Sequence, residues 1–175
     1  MQAPTRRIAL AAALIAVIPT AAHAIDAKLP SPGGGTLVML VPDGWRQGSR
    51  PGRSPTIAFQ PPADEAFLVL ASTFVPRTGP TTQAALRKLM DKQLAQAQAK
   101  AVEPALVLQE LRGGAVQGLY FTATDKAPKP GEYKTMTQGA FLARGMPVMF
   151  TILTNDDSKP AVELALRMFA AAHRK

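Results

Sequence analysis

Hydrophobic residues recur along this chain with two different periods, and each period predicts a different kind of element. Leu86, Leu89, Met90, Leu94 and Ala97 are spaced by threes and fours, as one face of a helix requires, and Thr81 or Thr82 stands ahead of them as an N-cap. The spacing predicts a helix over residues 82–100. Val162, Ala165, Leu166, Phe169 and Ala172 repeat the pattern behind Pro160, whose fixed φ suits a first helical turn, with Asp157 or Ser158 as cap. A second helix is expected over 160–173. The remaining apolar runs are short and bounded by turn residues. They predict seven strands, over 36–41, 56–60, 67–75, 105–111, 116–124, 133–143 and 148–154.

The connections and the faces of these strands constrain the fold. Residues 61–65, 112–115 and 144–146 are too few to hold a crossover helix, so the strands they join pair as antiparallel hairpins. Residues 67–70 are apolar at every position, and Met149, Phe150, Ile152 and Leu153 make both faces of the last strand apolar, so both faces of the sheet need cover. Three strands, a helix, four strands and a helix supply one helix for each face. The expected fold class is α/β: an α/β/α sandwich with a predominantly antiparallel sheet of about seven strands and one main helix on each face, in a single domain over 36–175. Pro30, Pro32 and Gly33 to Gly35 make residues 25–35 read as a flexible N-terminal linker. A phosphate-binding loop there would need a preceding strand and a following helix with a lysine, and the pattern predicts neither.

Residues 1–24 stand apart. Arg6 and Arg7 precede an apolar run from Ile8 to Ile18, too short to span a bilayer, and Ala22-His23-Ala24 follows Pro19 as a small-residue cleavage site. A signal peptide cleaved near Ala24 is expected, with a periplasmic or secreted product. A retained N-terminal anchor would need a longer apolar run. Ala9 and Ala11 occupy positions where a twin-arginine signal prefers an aromatic and a basic residue, so ordinary unfolded export is expected. No later run approaches the length of a transmembrane segment, and none is expected in the mature form.

Charge and cysteine count narrow the chemistry. The 20 Lys and Arg exceed the 12 Asp and Glu, for a net charge of +8, and only Arg6 and Arg7 leave with the signal, so the mature protein stays basic. Cysteine is absent, which excludes disulfides, thiolate metal sites, a cysteine nucleophile and a lipidated N-terminal cysteine.

Val41-Pro42-Asp43-Gly44-Trp45 ends a predicted strand in Pro-x-Gly-Trp, and Phe59-Gln60-Pro61-Pro62 then leads into an apolar strand. Together with the first helix, the Gly113-Gly114 hairpin, Gly118-Leu119-Tyr120, the 148–154 strand and the C-terminal helix, this order resembles the PsbP-like and DcrB-like superfamily. The resemblance covers about nine-tenths of the mature chain and implies a non-enzymatic accessory fold. Relatives include a photosystem-associated lumenal subunit, a Ran-binding nuclear factor, a bacterial envelope protein linked to phage DNA uptake and mycobacterial exported proteins. They share a shape and not a ligand, so no catalytic residue and no cofactor is implied.

Read on their own, the residues point the same way. His23 leaves with the signal, and His173 lies in an Ala-Ala-His-Arg-Lys tail expected to be mobile and solvated, so histidine-based hydrolysis and zinc binding are not expected. Asp43, Asp64, Glu65, Glu103, Glu110, Asp125 and Glu132 fall in turns or at strand ends, as solvated turn formers do; a carboxylate pair among them would make a hydrolase. Asn155-Asp156-Asp157 lacks the alternation of a calcium loop and reads as a strand end and helix cap. Trp45, Tyr120 and Tyr133 read as packing residues, with Trp45 also a candidate surface anchor for a partner or a sugar ring.

The main candidate binding feature is Arg46 to Arg53. Arg46, Arg50 and Arg53 share a stretch with no acid, which reads as a basic, mobile loop suited to phosphate or carboxylate groups. Lys126, Lys129 and Lys134 form a second basic loop, offset by Asp125 and Glu132. No nucleic-acid motif accompanies the charge, so nucleic acid is not an expected partner. The function expected is that of an exported, non-catalytic envelope accessory or binding protein. It would be a monomer without cofactor or metal that recognises an unknown envelope protein or an anionic ligand through Arg46, Arg50, Arg53 and Trp45. The alternatives are a carboxylate-based periplasmic hydrolase and a small-molecule carrier with a pocket between a helix and the sheet, where Met136, Met146 and Met149 would lend adaptable surface.

Overall fold

The computed structural model describes residues 25–50, 54–61, 67–74, 78–155 and 159–175, without the Arg50 side chain. Residues 1–24, over which a signal peptide is expected, lie outside the described residues, as do Arg53, Asp64, Glu65 and Asp156 to Ser158. In chain order the elements are β1 (Ile25–Pro30), β2 (Thr36–Val41), β3 (Arg46–Arg50), β4 (Thr56–Gln60), β5 (Phe67–Thr73), α1 (Gln83–Gln98), β6 (Gln109–Arg112), β7 (Val116–Thr124), β8 (Thr135–Ala143), β9 (Met146–Thr154), α2 (Lys159–Ala170) and β10 (His173–Arg174). No helix among them is long and apolar enough to cross a membrane.

Seven strands form the main sheet in the order β3-β4-β5-β9-β8-β7-β6, with every neighbouring pair antiparallel. The chain leaves β5 through α1, reaches the far edge at β6 and returns strand by strand until β9 lies against β5. Register is set at the β8–β9 turn. Arg144 at φ 47° and Gly145 at φ 78° form a two-residue loop between the paired Ala143 and Met146, the left-handed geometry that matches strand twist.

One helix lies on each face, as the spacing predicts. Leu86 and Met90 of α1 pack on Leu119, Phe121, Ala140 and Leu142. Ala165, Met168 and Phe169 of α2 pack on the opposite face, among Phe141, Phe150 and Val116. The α1 helix starts where Thr82 caps it, its hydroxyl accepting the Ala85 N–H at 3.2 Å. The cover on the α1 face is less complete than expected: among the described residues the helix lies over β7 and β8, while Leu68, Leu70, Met149 and Leu153 on the same face of β5 and β9 are half-buried.

Three segments read as flexible are ordered strands. The expected linker over 25–35 holds β1, which pairs with β2 and buries Ala27 and Leu29 against the core. Its glycines instead make the β1–β2 turn, with Gly34 and Gly35 at φ 93° and 87°. The expected mobile tail is tied down as β10 on β2, with Thr36 and Lys175 exchanging two backbone hydrogen bonds of 2.9 Å, so His173 is a strand residue. The expected basic loop is, over residues 46–50, edge strand β3 on β4. It has no apolar side chain to betray a strand and is held by its backbone ladder. The small sheet β1-β2-β10 shares the layer of α2, which explains why the core of that face is the larger. The strand expected over 105–111 is shortened to β6, because the backbone before it bonds to the helix instead: Gln98 donates to the Glu103 carbonyl at 2.9 Å and accepts the Leu106 N–H at 2.6 Å.

Candidate functional site

The α2 face of the central strands changes character along its length. At one end β7, β8 and β9 present Val116, Ala143 and Met146; the middle holds Gly118, Gly139, Phe141 and Phe150; the other end holds Thr122, Thr124, Thr135, Thr137 and Thr154. The glycines in the middle make room for rings. A Cβ at Gly139 would strike the Phe150 ring, and one at Gly118 would crowd Phe141. Into this hollow Phe169 of α2 stacks on Phe150, with centroids 4.4 Å apart, and meets Phe141 at 5.9 Å. The C-terminal end of α2 also sits on the β6–β7 turn, where a side chain at Gly113 would collide with the Ala170 carbonyl.

With its C-terminal half held in this way, α2 carries its first two turns over the threonine end and encloses a groove of about 550 Å³. That is the size of a small-molecule site. The floor is the threonine array, and the helix wall is Lys159, Val162, Glu163 and Leu166. Gln109 and Tyr120 close one side, the Tyr120 hydroxyl donating to Gln109 Oε1 at 2.8 Å, and Asn155 lies at the other, its oxygen accepting the Lys134 N–H at 3.2 Å.

Strand register brings the hydroxyls together. Thr124 is opposite Thr135, and Thr135 is opposite Thr154, a row across three strands; Thr122 and Thr137 form the next row and share a 2.8 Å hydrogen bond. Neither the Thr154 hydroxyl nor that of Thr135 is bonded to another described residue, and although Thr154 is only 3% exposed its hydroxyl is not sealed from solvent. Beside the row, Glu103 accepts the Thr124 N–H with both carboxylate oxygens, at 3.0 and 3.1 Å. Partial burial pushes the Glu103 pKa up, but the hydrogen bonds from Thr124 outweigh it and leave the carboxyl below its ordinary value.

The residues singled out in the sequence lie elsewhere. Arg46 is exposed on β3, over a shallow depression with Gln47, Ser49 and Gln60; the Arg50 backbone pairs with Thr56, and Arg53 lies outside the described residues. The 125–134 loop, which carries the second basic cluster, joins β7 and β8, and four strands separate β3 from β7, so the two basic segments do not form one patch. Trp45 is half-buried, its ring edge-on to Phe67 with centroids 5.1 Å apart, which is a packing role. Gly44 at φ 78° makes the turn that places it.

The candidate carboxylates are engaged locally: Asp43 with the Gly44 N–H, Asp125 with the Ala127 N–H, Glu132 with the Lys129 N–H and Glu110 with Arg112. Among the described residues the carboxylate that does line the groove is Glu163, which belongs to none of the turns that hold the candidate carboxylates. Among the described residues no three His, Asp or Glu side chains gather as a metal-ion site. The groove threonines all fall inside strands that the sequence predicts, and none of them is among the candidate residues. A signal was present in the paired Thr-x-Thr of residues 122–124 and 135–137, which puts hydroxyls on one face of each strand.

No family model matches the chain, and no curated protein matches it. Among solved structures it is similar to the solution structure of cyanobacterial PsbP (CyanoP) from Synechocystis sp. PCC 6803, at 16% identity and a TM-score of 0.46, over 92% of this chain and 99% of that one. This is the family that the Pro-Asp-Gly-Trp turn and the element order resemble. Nothing about ligand or partner is transferred from it.

Proposed function

We propose that this is a non-catalytic binding protein, exported by the signal pattern of residues 1–24, whose ligand lies in the groove under the first two turns of α2. The observation that carries the reading is the composition of that groove. Among the described residues its polar groups apart from Lys159 and Glu163 are hydroxyls and amides, which hold a ligand but do not exchange protons near neutral pH, and those two charged chains stand one turn apart on the same helix. An accessory role in the envelope is what the family resemblance implies. Recognition of an anion through Arg46 has in its support one exposed arginine on an edge strand, with no enclosing wall.

Native mass spectrometry on the full chain, expressed with its own N-terminus and recovered from the periplasm, tests the proposal. The expected result is a retained small-molecule mass that disappears when Thr135→Leu fills the groove and persists in Arg46→Ala. A retained mass that survives Thr135→Leu, or one lost in Arg46→Ala, removes the groove as the binding site. Turnover in a hydrolase screen that is lost in Glu163→Gln would put the carboxylate alternative in its place.

A further inference from the structure

The structure assigns the groove to an uncharged, hydroxyl-rich ligand, a short neutral oligosaccharide; this rests on the proposal that the groove is the binding site. The geometry of the threonine row carries it. Thr124 turns its N–H toward Glu103 and its carbonyl toward the Val102 N–H, both away from β8, so Thr124 and Thr135 face each other as the close, non-hydrogen-bonded type of pair. Thr135 and Thr154 then form the wider pair. The three side chains make a row about 10 Å long between backbone positions, which takes more than one sugar ring to follow.

Each threonine hydroxyl offers one donor and two acceptor positions, the same complement that a sugar hydroxyl presents. Thr135 and Thr154 spend theirs on no described residue, and the Thr154 hydroxyl stays open to solvent although the residue as a whole is buried. An apolar occupant would dry these hydroxyls and leave them unpaired, which costs about 1–3 kcal/mol for each such group. An anionic occupant needs a field of one sign, whereas the charges along α2 alternate: Lys159, then Glu163, then Arg167, with 4.0 Å between the last two. A saccharide satisfies the floor with its hydroxyls and lays its C–H patches against Val162 and Leu166 of the facing wall.

Isothermal titration of the mature chain with maltotetraose, cellotetraose and chitotetraose, and with inositol hexakisphosphate as the anionic arm, tests the inference. At least one uncharged tetrasaccharide is expected to bind, with little dependence on salt, and the double variant Thr135→Val/Thr154→Val is expected to weaken it about ten-fold or more while remaining folded. Saccharide binding unchanged in the double variant overturns the inference. Binding of inositol hexakisphosphate alone, lost in Lys159→Ala, also overturns it but leaves the groove as the binding site. If no probe binds and no retained mass responds to Thr135→Leu, the groove itself falls as well.

Discussion

The two ends of the α2 face are built from the same three strands under the same helix, yet one is a packed core and the other an open groove. The difference lies in what projects from the strands. Where Gly118 and Gly139 remove side chains, Phe141, Phe150 and Phe169 fill the space and lock the C-terminal half of the helix. Where threonines replace them, the side chains are too short to reach the helix and too polar to be closed off dry. A helix anchored at one end thus leaves an open cleft at the other without distortion of the sheet. Rigid support on one side and vacancy on the other is the arrangement a preorganised site requires.

Breaking the packed end has the largest expected effect. Phe169→Ala removes the ring shared by Phe141 and Phe150 and is expected to cost about 3–5 kcal/mol in denaturant unfolding; it should loosen α2 and so abolish ligand retention as well. The flank of the open end contributes less. Glu103→Gln replaces the carboxylate that takes the Thr124 N–H and is expected to cost about 1 kcal/mol at neutral pH. Because the folded-state pKa of Glu103 is lowered, the stabilisation is present above the ordinary carboxylate pKa and is lost as pH falls through the lowered one. The gap between parent and variant should therefore close in acid, and a gap that widens there would contradict the assignment. The smallest effect is expected in the groove floor. Thr154→Val deletes a hydroxyl bonded to no described residue and should change stability by less than about 1 kcal/mol, toward greater stability. A large loss on thermal or denaturant unfolding would show that the hydroxyl serves the fold and not a ligand.

Much of the fold was legible because its signals are local. The stripes of both helices, the Thr82 cap, the Arg144-Gly145 turn and the apolar strands of the main sheet all follow from period and turn chemistry. The misread segments lacked such signals or carried misleading ones. Residues 46–50 contain no apolar residue, so their strand is visible only as the backbone partner of β4. At β1 the prolines and glycines of the following turn obscured a short alternation in which Ala27 and Leu29 face the core. The two-residue β10 needs β2 already in place. The candidate site was the least legible. Arginine clusters draw attention because charge is written in the sequence, whereas threonine in a strand is ordinary.

By itself the sequence determined the absence of cysteine chemistry, the two amphipathic helices and the antiparallel strands, all of which are read from residue types or from residues close together in the chain. Only the tertiary structure decided that Thr124, Thr135 and Thr154 stand in one row, because that depends on two strand registers at once, one of them set by a two-residue turn at the far end of β8. It also decided that the row lies open, because a ring pile made by β8, β9 and α2 together holds the helix at its other end.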